Sequence, residues 1–103
     1  MKRAQVIWSK EALDDLETIF DFIAEKSPLA APKIIEKIIN RAKQLESFPE
    51  SGAIEIATKH KQMASRYLVE GNYKIIYDFH LRELSIFILT VFDSRFDPEK
   101  MRI

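Results

Sequence analysis

Two residues, Gly71 and Asn72, stand between Glu70 and Tyr73 in the middle of a stretch rich in aromatic and β-branched residues. Both tolerate positive φ, and such a pair between alternating runs is a strong short-range signal for a β-hairpin. The turn fixes a register in which Glu70 faces Tyr73, Leu68 faces Ile75 and Arg66 faces Tyr77. One face of the hairpin then carries Leu68, Tyr73, Ile75, Tyr77 and Phe79, the other Tyr67, Val69, Lys74, Ile76, Asp78 and His80. The first set is a core face. The second is mixed, as expected for an antiparallel sheet with helices on one side and water or a ligand on the other. Leu84 to Phe92 has the same character and predicts a further strand, while Ile54 and Ile56, alternating with polar neighbours, predict one before the hairpin.

Upstream the period changes. Ala4 to Trp8 is short, apolar and partly β-branched, and predicts a first strand that stops at Ser9. Ser9 can cap a helix in which Leu13, Leu16, Ile19, Phe20 and Ile23 recur at the three-and-four spacing of one apolar face. Between Lys10 and Lys26 six acids, Glu11, Asp14, Asp15, Glu17, Asp21 and Glu25, oppose those two lysines, a local balance of minus four. They are expected on a solvated face, several in first turns that the helix dipole favours for negative charge. Ser27-Pro28 ends the helix. A second is expected from Pro32 to Leu45, with Pro32 at its first position, Ile35, Ile38, Ala42 and Leu45 facing inward, and Lys33, Lys37 and Arg41 as a basic stripe. Two amphipathic helices joined by a few residues predict an antiparallel helical hairpin. The fold class is therefore α+β: an N-terminal strand, the helical hairpin, then an antiparallel β-meander, in one domain spanning residues 1–103.

Composition narrows the functions. Sixteen Lys and Arg balance sixteen Asp and Glu, so net charge draws the whole molecule neither to nucleic acid nor to an anionic membrane. The absence of cysteine excludes disulfides and thiol chemistry and fits a cytoplasmic location. The apolar run after Met1-Lys2-Arg3 is only Val6-Ile7-Trp8, too short for a signal peptide, and Ile86 to Phe92 is far short of the ~20 residues of a spanning helix. Neither export nor a membrane partner is expected. Two histidines, His60 and His80, do not make a metal site, and Gly52 and Gly71 stand alone as turn residues, not as a phosphate loop, so no metal or cofactor is expected. The pair Asp14 and Asp15 is read as exposed.

The residues that could carry chemistry are cationic. Between Ile56 and Tyr77, Lys59, Lys61, Arg66 and Lys74 oppose Glu70, a balance of plus three, with His60, Tyr67, Tyr73 and Tyr77 interleaved. Cations beside aromatics on a sheet can hold phosphates, stack bases or pair with an acidic peptide. The same lysines on a loop and an edge strand would also keep the sheet soluble and discourage edge pairing.

Several stretches in order resemble one family: Val6-Ile7-Trp8-Ser9 leading to Asp14-Asp15-Leu16, Phe22-Ile23, Phe48-Pro49 with Gly52, Gly71-Asn72-Tyr73-Lys74-Ile75-Ile76-Tyr77, and Val91-Phe92-Asp93-Ser94-Arg95-Phe96-Asp97-Pro98. Nearly end to end, the chain is similar to the RelE/ParE superfamily of toxins from bacterial type II toxin-antitoxin modules. The resemblance implies a growth-inhibiting toxin neutralised by a cognate antitoxin whose extended or helical segment wraps its surface, with a heterotetramer as one assembly. It implies a target- or antitoxin-binding surface including Tyr67, Lys59, Lys61, Arg66, Lys74 and Arg95.

The superfamily has branches. RelE-like members cleave mRNA on the ribosome, which requires activating a 2′-hydroxyl, stabilising a crowded phosphate and protonating a leaving oxygen. On that branch the resemblance implies catalytic roles for Lys74, at the position of a sheet arginine, for Arg95, at that of a C-terminal arginine, and for Arg66 as a further cation. Lysine is a poorer bidentate phosphate partner than arginine. The C-terminal Tyr or His of that branch is missing, since no tyrosine follows Tyr77 and His80 ends a strand. Arg95-Phe96-Asp97-Pro98 resembles instead the ending of ParE-like members, which poison DNA gyrase without nuclease chemistry. A ParE-like toxin is the expectation, a RelE-like ribosome-dependent mRNA endonuclease the alternative, and an antitoxin-binding module without toxicity the second alternative.

Overall fold

A computed structural model describes residues 2–55 and 64–96. In chain order these form β1 (Gln5–Trp8), α1 (Lys10–Lys26), α2 (Ala30–Lys43), a 3₁₀ turn (Gln44–Glu46), β2 (Ala53–Ile54), β3 (Arg66–Glu70), β4 (Tyr73–His80) and β5 (Ser85–Asp93). The five strands make one sheet in the order β1-β5-β4-β3-β2. The meander from β2 to β5 is antiparallel, and β1 joins its far edge parallel to β5, so the sheet is mixed. Both helices pack on one face, α1 against β5 and α2 against β3 and β4.

The hairpin register is the expected one, with Glu70 opposite Tyr73, Leu68 opposite Ile75 and Arg66 opposite Tyr77. Leu68, Tyr73, Ile75 and Tyr77 are buried under the helices. Gly71 takes φ +60 while Asn72 keeps negative φ, the pattern of a type II′ turn, so only the first turn residue uses the freedom both possess.

Ser9 caps α1 as expected, its Oγ accepting from Ala12 N at 3.0 Å, and the helix ends before Pro28. Its buried line, however, is Ala12, Leu16 and Ile19 with Ile23 packed alongside. Leu13 and Phe20, expected inside, are 53% and 38% exposed. At 100° per residue they lie roughly a quarter turn from that line, where the sheet no longer reaches. The second helix starts two residues earlier than expected, at Ala30, leaving Pro32 as its third residue. Pro32 is tolerated there because the first-turn N–H groups have no intrahelical acceptor anyway. Ile38, Ala42 and Leu45 are fully buried as the spacing required, although Leu45 sits in the 3₁₀ turn.

Strand β5 contains a bulge. Its pairing with β4 passes from Ile76 opposite Thr90 to Tyr77 opposite Ile88, so Leu89 is an extra residue. Side chains from the start of α1 take up groups in this stretch. Ser9 Oγ donates to Leu89 O at 3.2 Å, and Asp15 Oδ2 accepts from Val91 N at 3.0 Å and from Thr90 Oγ1 at 2.6 Å. Asp15 therefore pins α1 to the bulged strand and is not the solvated acid that its neighbour Asp14 is; Asp14 pairs with exposed Lys10.

Candidate functional site

Strand alternation sends Tyr67, Val69, Lys74, Ile76 and Asp78 to the face of the sheet away from the helices. There Lys74 Nζ lies 4.2 Å from the centroid of the Tyr67 ring, its diagonal neighbour on β3. The same ammonium is 2.7 Å from Glu55 Oε2. Glu55 follows β2 directly and is held by its own backbone N–H, which donates to Ser65 O at 2.7 Å. Beside it, Ser65 Oγ donates to Asp78 Oδ1 at 2.5 Å. Among the described residues around Lys74, this face is thus an aromatic floor with one cation already matched by one carboxylate.

Arg66 belongs to the opposite face, by its pairing with Tyr77. One terminal nitrogen donates to Gly52 O at 2.9 Å and Glu50 O at 3.2 Å, and the other lies 3.8 Å from the Glu50 carboxylate. Tyr77 completes this clamp: its hydroxyl donates to Pro49 O and accepts from Gly52 N, both at 2.9 Å. A Cβ on Gly52 would come 2.6 Å from Tyr67 O and 2.7 Å from the Tyr77 hydroxyl. Gly52 is therefore required by close approach, not by a turn. Burial pushes the Tyr77 hydroxyl above the ordinary tyrosine pKa, against the smaller opposing effects of the Gly52 N–H and Arg66.

Arg95 sits just past β5, beside the Gly71-Asn72 turn to which Ser94 N ties the chain through Asn72 O. Its guanidinium grips Asp93, Nε at 3.0 Å from Oδ1 and the terminal nitrogen at 2.6 Å from Oδ2. The side-chain hydrogen bond from Arg95 holds the Asp93 carboxyl below the usual carboxylate range. Tyr73, opposite Asp93, is raised above the ordinary value by burial first and by the Asp93 charge second. Next to this pair a groove of about 250 Å³ runs between α1 and the end of β5, lined mainly by Ile19, Phe22, Tyr73, Val91 and Phe96. Such a wall takes apolar side chains rather than phosphates.

The candidates therefore do not converge. Lys74 and Arg66 lie on opposite faces, and each is engaged within the chain. Tyr67 is where alternation placed it. Lys59 and Lys61 lie outside the described residues. His80 packs edge-on against Phe87, with ring centroids 4.9 Å apart, six residues along β4 from Lys74, or roughly 20 Å at strand rise. Among the described residues no group of three or more His, Cys, Asp and Glu could hold a metal, and no helix is long and apolar enough to cross a membrane. Of the acids that organise these sites, Glu55 is not among the sequence candidates, Asp15 is expected there as an exposed acid, and Asp93 enters with the C-terminal stretch that carries the resemblance. Glu55 lies one residue before the cation-rich stretch from Ile56 to Tyr77.

Among solved structures, the fold is similar to a chain of the chromosomal ParDE toxin-antitoxin system of Pseudomonas aeruginosa, with a TM-score of 0.69 and 20% identity over 86% of this chain and 94% of that one. It is also similar to a chain of the RelBE2 toxin-antitoxin complex of Mycobacterium tuberculosis, with a TM-score of 0.64 and 18% identity over 86% and 95%. Free Escherichia coli toxin RelE, in a doubly substituted form, gives 0.57 and 13% over 98% and 93%. At these identities the likeness is one of fold. In sequence the chain is 42% identical over 55 residues to Toxin RelE2 of Caulobacter vibrioides, a match covering 53% of this chain and only 62% of that protein's length. Residues 6–98 match the family of ParE toxins of type II toxin-antitoxin systems, and the chain belongs to that family.

Proposed function

We propose that this toxin acts in the ParE-like manner, arresting growth by binding DNA gyrase in the cytoplasm without cutting RNA, and that a cognate antitoxin neutralises it, with a heterotetramer as their assembly. One observation carries the choice of branch: the described candidate cations are each engaged inside the chain and do not face a common point. Lys74 is matched by Glu55, Arg95 by Asp93, and Arg66 by loop carbonyls on the other side of the sheet. Cleavage by 2′-hydroxyl attack needs cations converging on one phosphate with a proton carrier in hydrogen-bond reach. The apolar groove beside Tyr73 supports a protein partner, and two of the similar structures come from toxin-antitoxin systems.

A RelE-like activity is the second reading, favoured by the 42% identity to Toxin RelE2. Expression of the chain alone should arrest growth, and co-expression of its antitoxin should relieve it. Purified toxin should then inhibit gyrase supercoiling and leave mRNA intact in a translating extract. Intact supercoiling together with cut mRNA sinks the proposal in favour of the second reading; absence of arrest at any expression level leaves a binding module without toxicity.

A further inference from the structure

We propose that Glu55 is a specificity-determining residue whose carboxylate closes the cation-aromatic site of the open sheet face, Lys74 over Tyr67, to polyanions. An ammonium above an aromatic ring on an exposed sheet is suited to a single-stranded nucleic acid, the phosphate on the cation and a base against the ring. Here Lys74 Nζ is 4.2 Å from the Tyr67 centroid, so both elements are in place. Glu55 Oε2 sits 2.7 Å from that nitrogen, where a phosphate oxygen would otherwise sit.

The carboxylate is not a casual surface partner. Glu55 is only 8% exposed, and acids are almost never that buried unless they are paired. The side chains of the pair are 23% and 11% exposed, so salt screens them less than an exposed pair. Glu55 is also positioned from its backbone, by the bond to Ser65 O, at the end of a β2 edge next to the segment that Arg66 and Tyr77 clamp. A phosphate arriving from solution must displace an anion already tethered in place, and it loses translational freedom that the tethered group has already given up. The closure goes beyond the gyrase reading, and its test reads binding of a free single strand rather than gyrase inhibition, so the two fail separately.

The test is a fluorescence-anisotropy titration of oligouridylate of about twelve nucleotides, within the usual single-strand site size. It uses the purified full chain at a series of salt concentrations, as wild type, Glu55→Gln, Glu55→Gln/Lys74→Gln, and Glu17→Gln, an exposed acid on α1 with the same charge change. Glu55→Gln is expected to bind roughly tenfold more tightly at ~50 mM salt, and its slope of log K against log salt should steepen by about 0.7 as one more phosphate is neutralised. Removing Lys74 as well should return both quantities to wild type, and Glu17→Gln should not change them. No gain in Glu55→Gln, an equal gain in Glu17→Gln, or a gain that survives loss of Lys74 each overturns the proposal. Should Glu55→Gln fail to fold, side-chain NMR of the wild type during an inorganic phosphate titration decides. Lys74 should stay fixed while exposed Lys33 and Lys37 shift, and movement of Lys74 alongside them refutes the closure.

Discussion

Removing one oxygen, in Tyr77→Phe, should cost this domain a large share of its stability. Tyr77 is fully buried, and its hydroxyl satisfies two backbone groups of the segment from Pro49 to Gly52, each at 2.9 Å. The phenyl ring refills the same space, so cavity formation contributes little. What remains is Gly52 N–H, buried without its acceptor, and Pro49 O, part-buried without its donor. An unsatisfied buried group costs about 1–3 kcal/mol, and the part-buried carbonyl can recover some of that from water, which puts the total at about 2–3 kcal/mol. The whole domain holds on the order of 5–15 kcal/mol. At about 4–8 °C per kcal/mol the melting temperature should fall by roughly 10–20 °C. Urea unfolding followed by circular dichroism measures the loss directly. The variant also changes the pH response. Burial raises the folded Tyr77 pKa above the unfolded value near 10.0, so its contribution is complete below that value and is lost as pH rises through the folded one. The urea midpoint of the wild type should therefore fall on the alkaline side, and fall less in Tyr77→Phe, with Tyr73 supplying what dependence is left. A loss below about 0.5 kcal/mol at neutral pH would show that the hydroxyl does not hold the loop, and the account of Gly52 would go with it.

Asp15→Ala should cost about 1–3 kcal/mol in urea unfolding by leaving Val91 N–H without an acceptor, while Asp14→Ala should leave the midpoint where it is; equal effects would contradict the assignment of Asp15 to the bulge. Arg95 lowers the folded pKa of Asp93, so the pair stabilises above the ordinary carboxyl value near 3.8 and that contribution is lost as pH falls through the folded one. Arg95→Gln should flatten the acid limb of a midpoint-against-pH curve, and an unchanged limb would refute the pair. Gly71→Ala meets open space but must hold φ +60, so it should cost about 1–2 kcal/mol, and a stabilising effect would reject the II′ turn.

The parts of the fold legible in the sequence were those fixed by local rules. Gly71-Asn72 set the hairpin register, and alternation from it placed Tyr77 inward and Lys74 with Tyr67 outward. Ser9 marked the start of α1 because a cap acts within three residues. What stayed hidden depends on partners distant along the chain. The Tyr77 hydroxyl is satisfied by a loop 25 to 28 residues away, so nothing near Gly52 distinguishes a close approach from a turn. The bulge in β5 has no glycine or proline to announce it, and without the bulge Asp15 reads like Asp14, one more acid on a charged helix. The candidate site failed in a related way. The excess of cations lies between Ile56 and Tyr77, whereas the anion that matches Lys74 is Glu55, which strand pairing, not sequence proximity, brings to it.

The zero net charge of this chain therefore has a local meaning as well as a global one. A balance of minus four on α1 and plus three around the sheet would leave a dipolar molecule whose positive side could steer a polyanion from a distance. The structure pairs charges closer than that: Lys74 with Glu55, Arg66 with Glu50, Arg95 with Asp93, each within 4 Å. Fields from pairs so close cancel within a few ångströms, so these three cations contribute little steering at physiological salt, where screening sets in over about 8 Å. A partner that docked on the face of Lys74 and Tyr67 would then be recognised at contact, from shape, from the aromatic floor and from exchange of hydrogen bonds with the Lys74–Glu55 pair. That suits a folded protein surface, which can offer a complementary acid and base together, better than it suits an RNA backbone, which offers only acid.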